Sequence, residues 1–329
     1  MQIALALGAG ASRGVSYARS RQIMSPLDRD FFDLLQRLEP QGKDEQFVDR
    51  TIRWAQELPY EYWRSMERTF YTLHLQTYLR DKFTASASRS SPENDADFVS
   101  TFVNAVGALL RAAHGKQTCD FHKQLLANLG LEDAVISFNY DLVVERALKA
   151  VRGFSRVPFG RWLYGFESLP QGWTGPTFYK LHGSFNWEMP QDNSAGFDVH
   201  TQGWPDLEQA PGFRRFKERS TKYPIFLPFW DKRIESKPWI GIWQQAFKRL
   251  ADSDAVIVWG YSLPETDVKA RLVFQLALAD RQFNLCVIDP ALKSRDRWRE
   301  LFPDAKFWEF ENIEQFLEAN LPWWREHLD

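Results

Sequence analysis

The groups in this chain best placed to do chemistry stand where apolar runs end. His182 follows Thr177–Leu181 and precedes Gly183. Its near-neutral intrinsic pKa suits a general base acting on a hydroxyl. The other five histidines (His74, His114, His122, His200 and His327) lie in helical or polar segments without motif company. Asn139 and Asp141 follow the apolar run Ala134–Phe138. Polar side chains at a strand end are costly unless they cap the next helix or face a ligand. For Asp141 both readings stand: an N-cap of a helix over 142–150, or a ligand contact. Asn139 sits one step deeper, where an amide can orient a water or a ribose hydroxyl. Gly8-Ala9-Gly10-Ala11-Ser12 closes the run Gln2–Leu7, and Gly260-Tyr261-Ser262 closes Ala255–Trp259. Asp289-Pro290 closes Asn284–Ile288.

These turns need a scaffold that brings strand ends together. A buried strand running into a glycine turn is the usual opening of a nucleotide-binding βα unit. The glycines at 8 and 10 let backbone N–H groups approach phosphates. The full G-x-G-x-x-G fingerprint is not met, because the third glycine is Gly14. Strands are expected at 2–7, 134–138, 177–181, 255–259 and 284–288. Helices are expected over 26–38 (with Ser25 as N-cap), 44–57, 60–82, 97–114, 118–129, 142–150, 240–251, 266–279 and roughly 312–328. The stretch 84–97 reads as a loop and 188–222 as irregular, either a lid or a partner surface. A further short strand is expected at 225–227. The order predicts an α/β fold: a Rossmann-like parallel sheet with helices on both faces and an α-helical insertion. The expected units are 1–41 with 131–311 for the sheet domain, 42–130 for the insertion, and 312–329 as a C-terminal helix. If the strands are neighbours, the turns share one crevice at their carboxyl ends.

Composition narrows the classes. The 329 residues carry 41 Lys plus Arg against 43 Asp plus Glu, a net charge of −2. So near-neutral a balance argues against a chain that coats nucleic acid or anionic membrane, and no direct nucleic-acid binding is expected. No apolar run reaches the roughly 18 residues of a membrane span. The apolar N-terminus lacks a basic flank and breaks into glycines, so it reads as a strand and not as a signal peptide. Two cysteines, Cys119 and Cys286, cannot form a four-thiolate zinc site or a disulfide framework; a reducing cytoplasm fits. There is no G-K-[ST] after a glycine loop, no H-E-x-x-H and no G-x-S-x-G, which argues against P-loop ATPases, zinc hydrolases of that type and nucleophile-elbow enzymes. Aromatics make up 15% of the chain, enough for a deep aromatic core or for walls around a flat ligand.

Taken in order, GAGAS, SFNYD, KLHGS, GYSLPETD and IDP resemble the SIR2-like superfamily over residues 3–290. The resemblance implies that residues Gly8, Ala9, Gly10, Ala11 and Ser12 hold the pyrophosphate of NAD+. It places Asn139 and Asp141 at the nicotinamide-ribose end and makes His182 the catalytic histidine. It likewise implies that Gly260, Tyr261, Ser262 and Asp289 hold the rest of the dinucleotide. Protein-deacylating sirtuins carry a four-cysteine zinc module and a Pro-Asp-Phe-Arg stretch after the glycine turn. This chain has neither, and no metal is expected. It is more similar to bacterial SIR2-like effectors of anti-phage defence (abortive infection), in which a helical block replaces the zinc module. Such effectors resemble NAD+ glycohydrolases. The resemblance implies NAD+ as substrate, with Asn139 positioning the attacking water and Asp141 stabilising the ribose or its developing charge. It also implies an off-state set by an oligomer, a separately encoded sensor or a nucleotide signal. A protein deacylase or ADP-ribosyltransferase, and a non-catalytic NAD+ or ADP-ribose sensor, remain as alternatives.

Overall fold

The computed structural model describes residues 1–40, 42–83, 95–152, 161–190, 200–201, 221–222, 239–319 and 321–325. The lid-or-partner segment 188–222 falls mostly outside these residues, as do most of the loop at 84–97 and the whole of the expected strand 225–227.

Six parallel strands form the main sheet: β1 (Ile3–Leu7), β2 (Ala134–Ser137), β3 (Thr177–Lys180), β7 (Ala255–Trp259), β8 (Asn284–Ile288) and β9 (Lys306–Phe310). Their order is β3-β2-β1-β7-β8-β9. The four strands whose turns carry the candidate residues at 8–12, 139–141, 260–262 and 289 are therefore consecutive neighbours. β1, β2 and β7 are buried at every position, and β8 at all but its first. That is why they read as unbroken apolar runs: helices flank the sheet and leave no wet side. The edge strand β9, which the sequence reading did not anticipate, exposes Lys306 and Glu309. Its polar positions interrupt the apolar run that marks the inner strands, and charge on an edge discourages further strand pairing.

Helices Asp120–Ala127 and Val143–Arg152 pack together. Helix Trp239–Asp252 packs on β2, β3 and helix Val268–Leu278. Helix Leu292–Leu301 lies on β8. The expected C-terminal helix is two shorter pieces, Ile313–Glu318 and Pro322–Arg325; Ala319 leaves the helical conformation (φ −68°, ψ 136°). Trp323 and Trp324 are buried against the sheet core. The expected Ser25 cap is replaced as well: Asp30 accepts the Leu27 N–H at 2.8 Å, and a 3-10 turn at Asp28–Asp30 leads into helix Phe31–Arg37.

Helices Phe31–Arg37, Lys43–Gln56, Met66–Phe83 and Asp95–His114 build a second apolar core around Phe31, Phe70, Phe102 and Leu109. This core already includes Ile23 and Phe31, so it begins before residue 42; helix Asp120–Ala127 packs into the sheet core instead. Phe185 and Tyr140 also belong to the helical core, and both come from turns beyond the sheet. In place of a wholly irregular 188–222 there are short antiparallel pairings between β4 (Trp187–Pro190), β5 (His200–Thr201) and β6 (Thr221–Lys222).

The β1 and β7 turns touch backbone to backbone. Gly10 N donates to Gly260 O at 2.9 Å, and Gly8 N donates to Trp259 O at 3.1 Å. Gly260 has φ +63°, and a Cβ there would stand 2.2 Å from Ala11 N. Gly260→Ala is thus expected to cost about 2–5 kcal/mol, combining left-handed backbone strain with overpacking against an immovable backbone. A fall in the urea midpoint at constant m measures it; an unchanged midpoint refutes the required contact.

Candidate active site

Register sets the candidate residues in rows. Ser137 pairs with Lys180 across β2 and β3, so Asn139 and His182, each two residues further on, leave the same end of adjacent strands. The ladder continues one step past the strands: Phe138 N to Leu7 O, Leu181 N to Ser137 O, and Gly260 N to Ile288 O, each at 2.9 Å. Gly8, Phe138, Leu181, Gly260 and Asp289 thus lie level at the carboxyl end of the sheet. Strand order reverses between β1 and β7, where open α/β sheets hold their ligands. Ala9 and Ser262 are exposed there, and Gly10, Asn139, Tyr140 and Gly260 are half-buried.

Two side-chain networks meet at segment 138–141. The first surrounds Ser12. Asn139 Nδ2 donates to Gly8 O at 2.8 Å and to Ser12 Oγ at 2.9 Å. A carbonyl can only accept, so the nitrogen must face Gly8, and the amide oxygen is what Asn139 still offers. Ser12 Oγ donates to Asp141 Oδ2 at 2.6 Å, and Val143 N donates to Asp141 Oδ1 at 3.0 Å. Asp141 therefore does cap the following helix, while its other oxygen fixes Ser12. Burial raises the Asp141 pKa, but His114, Lys180, the Ser12 hydroxyl and the Val143 amide outweigh it and hold the carboxyl below its usual range. Beneath it Lys180, 1% exposed, donates to the carbonyls of Asp141 and Tyr140 and to Glu145 Oε1 at 3.0 Å. Tyr164 donates to the same Glu145 oxygen at 3.1 Å, and Asn186 Nδ2 donates to Tyr164 at 2.8 Å.

The second network surrounds His182. Its Nε2 lies 3.0 Å from Asp267 Oδ2, which also accepts the Tyr261 hydroxyl at 2.8 Å. The His182 ring meets Phe138 edge-on at 5.2 Å and Tyr140 at 6.4 Å. Phe138 stacks flat on Tyr261 at 3.8 Å. The two residues flanking Asn139 thus wall in His182, while Asn139 itself turns toward the β1 turn.

The remaining candidates have definite places. The Gly8 and Gly10 amides are satisfied by Trp259 and Gly260, so these glycines serve the contact between turns and do not leave those N–H groups open to a phosphate. Ala11 is fully buried. Tyr261 is buried, with its carbonyl accepting from Trp298 Nε1 at 3.0 Å. The Ser262 carbonyl accepts from Arg297 at 3.0 Å. Asp289 Oδ1 accepts the Ala291 N–H at 2.8 Å. Trp187 packs among Tyr164, Phe166 and Trp239, so these aromatics serve as core. Sequence reading missed Asp267 and Lys180 as site residues. Asp267 lay inside GYSLPETD without a visible partner. Lys180 gave a signal, a cation within a buried apolar strand, which demands an acceptor.

Close to this end of the sheet, His122 is buried and lies against Trp259 at 4.5 Å. Burial pushes its pKa down to about 3. A histidine depressed in the fold stabilises it fully above the unfolded pKa near 6.5, and that contribution drains away as pH falls toward 3. At pH 5 the loss from this group is about 2 kcal/mol. His122→Phe is expected to shrink the difference in unfolding free energy between pH 7.5 and pH 5 by that amount; an undiminished difference refutes the assignment.

Among the described residues no group of three His, Cys, Asp or Glu is set to hold a metal ion, and no helix is long and apolar enough to cross a membrane. No protein-family model matches the chain, and no curated protein matches it.

Proposed function

We propose that this chain is a SIR2-like NAD+ glycohydrolase, splitting the bond between nicotinamide and ribose. The observation that carries the reading is the pairing of His182 with Asp267 at the carboxyl end of β3, beside the strand that carries Asn139. With Nε2 3.0 Å from the carboxylate, a neutral His182 that donates Nε2–H to Asp267 would carry its lone pair on Nδ1, the arrangement of a general base.

The reaction needs little more. NAD+ and water give ADP-ribose, nicotinamide and a proton. The glycosidic C–N bond breaks with its electron pair going to the ring nitrogen, so the cationic pyridinium departs as neutral nicotinamide and needs no general acid. Water oxygen bonds to the anomeric carbon, and the released proton passes to His182 and then to solvent. Asn139, with both Nδ2 hydrogens committed, holds the water through its amide oxygen. Ser12, buried, acts by fixing Asn139 and Asp141, and the pyrophosphate is assigned to the exposed edge of the β1 and β7 turns at Ala9 and Ser262, since the Gly8 and Gly10 amides are taken.

In the same reading the helical block stands in place of the sirtuin zinc module. The enzyme is then a cytoplasmic effector of bacterial abortive infection, held off until a partner protein, a nucleotide signal or a change of oligomer releases it. The test is chromatography of NAD+ incubated with the purified chain, alone and with the product of a co-encoded neighbouring gene. Equimolar nicotinamide and ADP-ribose are expected, or the cyclic isomer if water is excluded. Intact NAD+ in every arm, with a folded protein, overturns the reading. O-acetyl-ADP-ribose formed from an acetylated peptide would replace it with deacylation.

A further inference from the structure

We propose that Glu67, carried by the helical block, belongs to the same site, where with Asp267 it forms a carboxylate pair beside His182 and Tyr140 that selects a ligand bearing positive charge. The inference rests on the glycohydrolase reading and assigns its charge recognition. Glu67 occupies the first turn of helix Met66–Phe83, and its N–H donates to Asp28 Oδ1 at 2.8 Å. Its Oε2 accepts the hydroxyl of Thr266, the residue next to Asp267. A side chain from a helix some 200 positions away in sequence is thereby tied to the loop that holds His182.

The fields converge as the contacts do. After burial, the Glu67 and Asp267 charges are the influences that raise the Tyr140 hydroxyl, and both act on the Tyr261 hydroxyl, where Arg271 opposes them. Tyr140 stands between the two units: its ring lies 6.4 Å from His182 and 6.3 Å from Phe185, and it packs into the helical core. Two carboxylates thus converge on the loop that holds His182, Asp267 directly and Glu67 through Thr266. Asp141, the carboxylate expected from the sequence to face the developing charge, has one oxygen on Ser12 and the other on the Val143 amide. Preset negative charge favours a pyridinium glycoside in its ground state and the oxocarbenium-like centre that forms as the bond breaks.

NAD+ and NADH share shape and phosphates but differ in the charge of the nicotinamide ring, so their binding ratio reads this field directly. The experiment measures both affinities by calorimetry for the otherwise wild-type chain, Glu67→Gln and Thr266→Val, each also carrying His182→Ala so that NAD+ is bound and not consumed. Glutamine removes the charge and still accepts from Thr266; valine removes the hydrogen bond and keeps the charge. The expected result is a wild-type preference for NAD+ that falls about tenfold in Glu67→Gln and persists in Thr266→Val. A wild-type ratio near one, an unchanged ratio in Glu67→Gln, or an equal fall in both variants overturns the proposal. In each of those cases, NAD+ cleavage by the wild-type chain leaves the glycohydrolase reading standing. A wild-type chain that neither binds nor cleaves NAD+ removes both.

Discussion

On the proposed glycohydrolase reading, His182→Ala is expected to lower NAD+ cleavage by about 10²–10⁴-fold, the usual worth of a single general acid–base group. The loss falls on kcat, because the imidazole acts on a proton in flight and adds little to dinucleotide affinity. Folding should survive. The residue is 8% exposed and its ring packs edge-on against Phe138, while Asp267 keeps the Tyr261 hydroxyl as donor. Asp267→Asn should shift kcat the same way, since an amide no longer fixes the Nε2–H tautomer. Single-turnover rates together with thermal melting separate chemistry from folding. A His182→Ala protein that melts normally and turns over at the wild-type rate removes histidine from the mechanism, and the His182–Asp267 pair becomes structural.

Lys180→Met is expected to destabilise the fold by about 3–5 kcal/mol, because it strands a buried carboxylate. Glu145 is 1% exposed, and Lys180 is the cation against its Oε1. Burial already pushes Glu145 above the usual carboxylate range, while Lys180 pulls it back. Without the lysine the pKa rises further. A carboxyl raised in the fold contributes stability below its unfolded pKa of about 4.5 and loses it as pH climbs. The defect should therefore be larger at pH 8 than at pH 5, and Lys180→Met with Glu145→Gln should recover much of it. Urea unfolding at both pH values measures this; a pH-independent loss refutes the stranded charge. The same variant removes the lysine donor from the Asp141 and Tyr140 carbonyls, the latter keeping the Phe185 N–H, and so loosens the turn that presents Asn139.

The strands were legible where burial on both faces wrote itself as unbroken apolar sequence. IALAL and AVIVW could have been little else, and each ended at a turn residue within one position of the observed end. β9 was not legible, because an edge strand half in water mixes Lys306, Trp308 and Glu309 in a pattern that carries no strong period. The start of the helical core was also obscured: Phe31 and Leu34 have helical spacing, but spacing does not say which of two cores a helix fills.

At the site, His182, Asn139 and Asp141 stood out because each interrupts apolar sequence at a strand end, and that is a local fact. Their partners are not local. Asp267 meets His182 across 85 positions, and Glu67 meets Thr266 across 199. The glycines at 8, 10 and 260 show the same division. Sequence marked them as turn residues, yet only the packed turns reveal that Gly260 needs its missing Cβ to let Ala11 approach.

By itself the sequence determined a parallel α/β sheet and the polar groups at its carboxyl end, since burial and strand length are encoded residue by residue. Only the tertiary structure decided which groups pair, that Asp141 is spent on Ser12 and a helix cap, and that the helical block is tied through Glu67 to Thr266, beside the Asp267 that meets His182. Register and strand order fix those contacts, and both arise from the packing of the whole chain.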